Sequence, residues 1–156
     1  MAEMDASEMF RTGCNFSDCA DLCLKERDHA PESNLAYITP AIVNAAFSCE
    51  VFLKLLIQHE GKDTYKTHKL NDLYAKLSKD TQEELEKKTI LRYGKWRNVW
   101  GIPYLEQISD AFKKWRYSYE HNWTKSASMQ IEVGFLIAFK DSLKEICAGI
   151  FSEAHS

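Results

Sequence analysis

The sequence predicts an all-α fold, an up-and-down helical bundle of about five helices, and three observations carry that prediction. Apolar residues recur at three- and four-residue spacing along most of the chain, the period of a helix with one buried face. Only six glycines and three prolines punctuate 156 residues, too few for the many tight turns of a β-rich architecture. Apolar residues make up 45% and charged residues 28%, the balance of a globular chain rather than a disordered one. A chain of this length buries a core without staples, so residues 1–156 read as one domain. Within it, 1–30 holds an N-terminal helix and 38–151 a core bundle.

The first amphipathic helix is expected over about 4–28, ending before the turn signal Pro31-Glu32-Ser33-Asn34. The second is expected to start at Ile38-Thr39-Pro40, with Thr39 as the cap and Pro40 at the first helical position. It runs to about His59 and stops at Gly61. Ala41, Ile42, Val43, Ala45, Ala46, Phe47, Val51, Phe52, Leu53, Leu55, Leu56 and Ile57 make it apolar nearly all round, which marks the central helix of the core. Glu50 and Lys54 are i,i+4 partners on what remains of a polar face. A loop over 62–67 leads to a short helix over 68–77, with Leu70, Leu73, Tyr74 and Leu77 at helical spacing. Asp80-Thr81-Gln82-Glu83-Glu84 carries a capping signal for a helix over about 81–92. An aromatic-rich loop over 93–103 follows, then a helix over about 104–120 that Asn122-Trp123-Thr124-Lys125 breaks. The last helix, about 127–151, sets Ile131, Phe135, Phe139, Leu143, Ile146 and Ile150 on one stripe.

The five cysteines are odd in number and irregularly spaced, which fits a reducing compartment rather than a disulfide framework. All five read as packing residues: Cys49 and Cys147 lie inside apolar runs, and Cys14, Cys19 and Cys23 share the first helix. Cys19 and Cys23 fall on one face, but no second ligand pair stands at a zinc-like spacing, and no metal or cofactor is expected. The opening Met1-Ala2-Glu3-Met4-Asp5 lacks the basic and apolar regions of a secretory signal. No apolar run is read as long enough to span a bilayer, so the expected location is the cytoplasm, away from membranes.

The net charge of −3 argues against a dedicated DNA-coating protein, and its distribution is more telling. Residues 1–60 carry 4 basic and 10 acidic side chains, a local −6. Residues 86–125 carry 9 basic and 4 acidic side chains, a local +5. A solvated helix face accounts for such an excess, and so does a surface that steers a phosphate chain. Trp96, Trp100, Trp115 and Trp123 cluster in the same region, where aromatics either pack or stack on unpaired bases.

The basic segment encloses Trp115-Arg116-Tyr117-Ser118-Tyr119-Glu120-His121. Arginine holds a phosphate bidentately and histidine exchanges a proton near neutral pH, so the pair is suited to cleaving a phosphodiester. On a regular helix a five-residue step leaves Arg116 and His121 about 140° apart, so convergence needs a helix end between them or a second protomer. Arg116 and Glu120 at i,i+4 also satisfy a plain surface ion pair.

Three stretches stand in an order that carries a family resemblance. Ala45-Ala46-Phe47-Ser48-Cys49-Glu50-Val51-Phe52-Leu53-Lys54-Leu55-Leu56, small residues with a Glu four before a Lys, resembles the second-helix signature of the HEPN domain family. Thr67-His68-Lys69-Leu70-Asn71-Asp72-Leu73 is similar to the element that follows, and Trp115 to Glu120 to the Arg-Tyr-x-Tyr-Glu form of the late helix. His121 completes the R-x4–6-H motif of ribonuclease-competent members. The resemblance implies a homodimer whose two motifs meet in one cleft and cleave RNA without a metal, in a toxin, stress or defence setting. It implies Arg116 and His121 as catalytic residues, with Glu50, Tyr117 and Glu120 in support and Lys113, Lys114 and Lys125 on the RNA. RNA or a nucleotide, and an antitoxin or regulatory protein, are the implied partners. One position departs from active members, which place a small polar residue after the arginine where this chain has Tyr117. A non-catalytic HEPN module that binds nucleotide, RNA or a protein partner therefore stays open as the alternative. His68 carries a helix-start reading beside a catalytic one.

Overall fold

Asp5 starts the first helix, α1 (Ala6–His29), by turning its side chain back on the chain. Its Oδ1 accepts the backbone N–H of Ser7 at 2.9 Å and of Glu8 at 3.3 Å, two of the donors that a helix start leaves without a partner. In the computed structural model of the chain, residues 4–29, 34–63, 67–94, 108–109 and 127–151 are described. They contain four further helices, α2 (Asn34–His59), α3 (Leu70–Lys76), α4 (Lys79–Tyr93) and α5 (Ala127–Phe151), and no strand among them. The fold is all-helical, as the sequence predicts. Of the helix expected over 104–120 only Ile108 and Ser109 are described, both helical and buried. The loop over 95–103 lies outside the described residues.

α2 is the axis of the core. Ala41, Ile42, Ala45, Ala46, Cys49, Phe52, Leu53, Leu55, Leu56 and Ile57 are all buried, over more than half of the helix circumference, and the rest of the stretch from Ala41 to Gln58 is at least partly covered. α1 runs antiparallel to it: Gly13 lies against Phe52 and Ser48, Phe16 against Phe47, and Met4 against Gln58. The crossing is close because Gly13 has no side chain, and a Cβ there would come within 2.4 Å of the Phe52 ring. α5 covers the other side with Phe135, Phe139, Leu143 and Ile146 buried, in the order its apolar stripe predicts. α4 runs antiparallel to α5, and Lys88 and Arg92 both pair with Glu145, at 3.0 and 3.2 Å.

Several boundaries and placements differ from the sequence expectation. α2 begins at Asn34, so Pro40 lies inside the helix rather than at its first position. Ile38 packs on the core, and that burial offsets the backbone hydrogen bond that the proline removes at an exposed position. By length and composition Tyr37–His59 is apolar enough to cross a membrane, contrary to the reading that no run is. Its apolarity has a local use, since 67% of that window is buried inside the fold. α3 starts at Leu70, leaving His68 in the approach to the helix. Among the cysteines, Cys49 and Cys147 are buried, and burial pushes both thiols far up. Cys19 departs from the packing role expected of all five: it is exposed, outside the stripe of Phe10, Gly13, Ser17 and Ala20 that α1 turns inward.

Gly61 ends α2 as expected, with φ +76°. Its N–H donates to Gln58 O at 2.9 Å while that of Lys62 donates to Ile57 O at 3.1 Å, the paired bonds of a Schellman turn. This turn aims Glu60 at the start of α4. The cap there is Ser78, two residues before the expected signal, and its Oγ accepts the Thr81 N–H. Glu60 accepts the Ser78 N–H and the hydroxyls of Ser78 and Thr81, each at 2.8 Å. A carboxylate from another helix thus fills the place that a local Glu takes in a capping box.

Burial works to raise the Glu60 carboxyl, but the bonds from Thr81, Ser78 and Lys62 outweigh it and hold it below the ordinary value. The folded chain therefore takes up this proton less readily than the unfolded chain does. The cap contributes fully above the unfolded value near 4.5 and fades as pH falls through the lower folded value. Glu60→Gln is expected to lower the urea midpoint at pH 7, and the gap between wild type and variant is expected to close as pH falls through the folded value. A difference that stays constant from pH 7 to pH 3 would contradict this account.

Candidate functional site

The polar cluster of interest grows from the middle of the most apolar helix. Glu50 sits between Cys49 and Val51 on α2, and its side chain is only 10% exposed. A carboxylate so placed needs partners. One turn on, Lys54 brings its Nζ to 3.6 Å from one oxygen. The other oxygen lies 3.0 Å from Nδ1 of His68, which arrives from the segment leading into α3. The Glu50–Lys54 pair is therefore not the solvent-facing pair that helix spacing alone suggests, because α2 has no outward face at this level.

The geometry fixes how His68 presents itself. A carboxylate only accepts hydrogen bonds, so the ring nitrogen facing Glu50 carries the hydrogen. That leaves Nε2 as the nitrogen turned away, on a side chain that is 74% exposed. The buried carboxylate thus holds the imidazole in one tautomer and orientation, with its second nitrogen on the exposed side of the ring. His68 stands two residues before α3 and contacts Glu50 from there.

The segment is braced again three residues later. The Asn71 N–H donates to Ser109 Oγ at 3.3 Å, and the Ser109 hydroxyl donates back to Asn71 Oδ1. Ser109 and its neighbour Ile108 are 6% and 1% exposed, so this contact anchors their segment against α3. Thr67 closes the approach locally, accepting the Lys69 N–H at 3.2 Å and donating to Asp72 at 3.3 Å.

No known family model, curated protein or solved structure matches this chain. The arrangement must be read from its own residues. Of the residues expected at the site, the structure brings Glu50 together with His68 and Lys54. Arg116, His121, Tyr117, Glu120, Lys113, Lys114 and Lys125 lie outside the described residues, as do all four tryptophans. Asn71 and Ser109 were not legible as partners, since 38 residues separate them and neither belongs to a charge or ligand pattern. His68 had one available signal, its place at the head of the stretch similar to the second HEPN element.

Proposed function

We propose that the chain is a HEPN-type module that dimerises and cleaves RNA without a metal, with Arg116 and His121 at the reacting phosphate. The observation that carries this reading is the contact of Glu50 with His68, which joins two of the three HEPN-like stretches in one place. The Asn71–Ser109 bonds extend that locality toward the third stretch, since Ser109 precedes Arg116 by seven residues. On the helix that the sequence predicts over 104–120, a seven-residue step returns to the same face within about 20°. The sequence expectation of that helix therefore puts Ser109 and Arg116 in register with each other. The all-helical architecture, with α1 antiparallel to α2 and to α5 and α4 antiparallel to α5, agrees with such a bundle.

In this reading the ribose 2′-oxygen attacks the adjacent phosphorus and the 5′-oxygen leaves, giving a cyclic phosphate and a 5′-hydroxyl. His121 moves the proton as general base or acid, and Arg116 holds the phosphate as charge builds on its oxygens. Two protomers supply the convergence that a five-residue step on one helix does not. The test is cleavage of an RNA substrate in the presence of EDTA. Cleavage is expected to survive chelation and to fall about 100-fold or more in both Arg116→Ala and His121→Ala. Equal activity in all three proteins, or none in the wild type, would reject the ribonuclease; RNA binding without cleavage would assign the chain to the non-catalytic class.

A further inference from the structure

We infer that Cys19 and Cys23 form a two-coordinate site for a soft monovalent metal ion, copper(I) by its chemistry, on the outer face of α1. Free cysteine is among the most buried residue types, yet Cys19 is exposed and Cys23 only partly covered. Packing therefore does not account for the pair. The two thiols stand one helical turn apart on α1, at i and i+4. From α2, the Asn44 side-chain amide donates to Cys19 Sγ at 3.4 Å, which fixes the position of that sulfur.

Helix geometry decides what such a pair can do. A disulfide needs Cβ atoms about 3.5–4.5 Å apart. Residues at i,i+4 on a helix hold theirs about 5–6 Å apart, so a direct S–S bond requires unwinding the turn. An ion between the sulfurs removes the conflict, because two metal–sulfur bonds of about 2.3 Å bridge the gap. Among the described residues no third His, Cys, Asp or Glu joins the pair, so a tetrahedral zinc site is not assembled. Thiolate ligands favour copper(I) among the first-row ions, and two ligands suffice for it.

Binding breaks two S–H bonds and forms two S–Cu bonds; both protons pass to solvent and no electron moves. Burial, and after it the adjacent Cys19 sulfur, pushes the Cys23 thiol up, so a cation must displace the protons and affinity rises with pH. Asp18 and Asp21 flank Cys19 in sequence, but each is already paired, with Lys144 at 3.1 Å and Lys140 at 2.9 Å.

The experiment is an anaerobic copper(I) titration of the reduced full chain against bicinchoninate, a coloured copper(I) chelator. Wild type is expected to withdraw one ion per chain from the chelator. Cys19→Ser and Cys23→Ser are each expected to bind at least tenfold more weakly, and Cys14→Ser to bind as wild type does. Helix content by circular dichroism is expected to be equal in all four. Failure of wild type to compete, wild-type affinity in either Cys19→Ser or Cys23→Ser, or zinc binding tighter than copper(I) would overturn the assignment. So would a Cys19–Cys23 disulfide that forms on mild oxidation with α1 intact.

Discussion

Phe52→Ala is expected to destabilise the fold by about 3–5 kcal/mol, the upper range for truncating a buried aromatic. Phe52 is fully buried where α1, α2 and α5 meet. Its ring lies against Gly13, the Phe10 ring is centred 6.3 Å away, and its carbonyl accepts the Cys147 thiol at 3.8 Å. The hole left by the ring does not close easily. Gly13 has no side chain to move in, and the Ser48 hydroxyl fixes the helix separation by donating to Gly13 O at 2.8 Å. The reciprocal change supports the same account. Gly13→Ala gains about 1 kcal/mol of helix propensity but overpacks by about 1–3 kcal/mol, and is expected to be destabilising overall. In a Phe52→Leu background the added methyl has room, so the two changes are expected to couple rather than add. Urea unfolding followed by circular dichroism measures both. A loss under about 1 kcal/mol for Phe52→Ala would mean that α1 does not close on the core here.

The parts of the fold that were legible are those that local periodicity specifies. α2 advertises its burial through a run of apolar residues and α5 through an apolar stripe, and Phe135, Phe139, Leu143 and Ile146 of that stripe are buried as expected. Gly61 advertises the end of α2 because only a residue tolerant of positive φ fits the turn. The errors arise where a tertiary contact decides a local question. Pro40 suggests a helix start until Ile38, two residues upstream, packs on the core. Asp80 and Thr81 suggest a cap until Glu60, from the end of α2, satisfies Ser78 instead.

The candidate site follows the same logic more severely. Glu50 was legible as the one acidic residue in an apolar helix, but its helix offers only Lys54 as a partner. The closer partner, His68, lies 18 residues away and no spacing rule connects them. A charged residue at a position that periodicity assigns to the core is therefore a signal in its own right. It asks for a long-range partner, and the nearest histidine or basic residue in a neighbouring element is where to look.

Lys140 shows how far that signal reaches. It follows Phe139 on α5 and is fully buried, with Nζ bonded to Ser17 at 2.8 Å, Asp21 at 2.9 Å and Asp141 at 2.7 Å. Lys144 and Asp18 repeat the pairing one turn on, at 3.1 Å, so the two pairs set the antiparallel register of α1 on α5. The two carboxylates around Lys140 are 51% and 39% exposed, so solvent shares their charge and only the ammonium is fully desolvated. Lys140→Ala is expected to cost about 2–4 kcal/mol, less than the roughly 3–5 of a fully buried pair, because no carboxylate is stranded. What it does strand is the Ser17 hydroxyl, which is fully buried, together with the space of a four-carbon stem. Lys140→Met refills the stem and is expected to recover more than half of the loss. Adding Ser17→Ala removes the orphaned hydroxyl and is expected to bring the double variant within about 1 kcal/mol of wild type. Should Lys140→Met prove as damaging as Lys140→Ala in urea unfolding, the ammonium rather than the stem holds α1 to α5, and the register depends on charge.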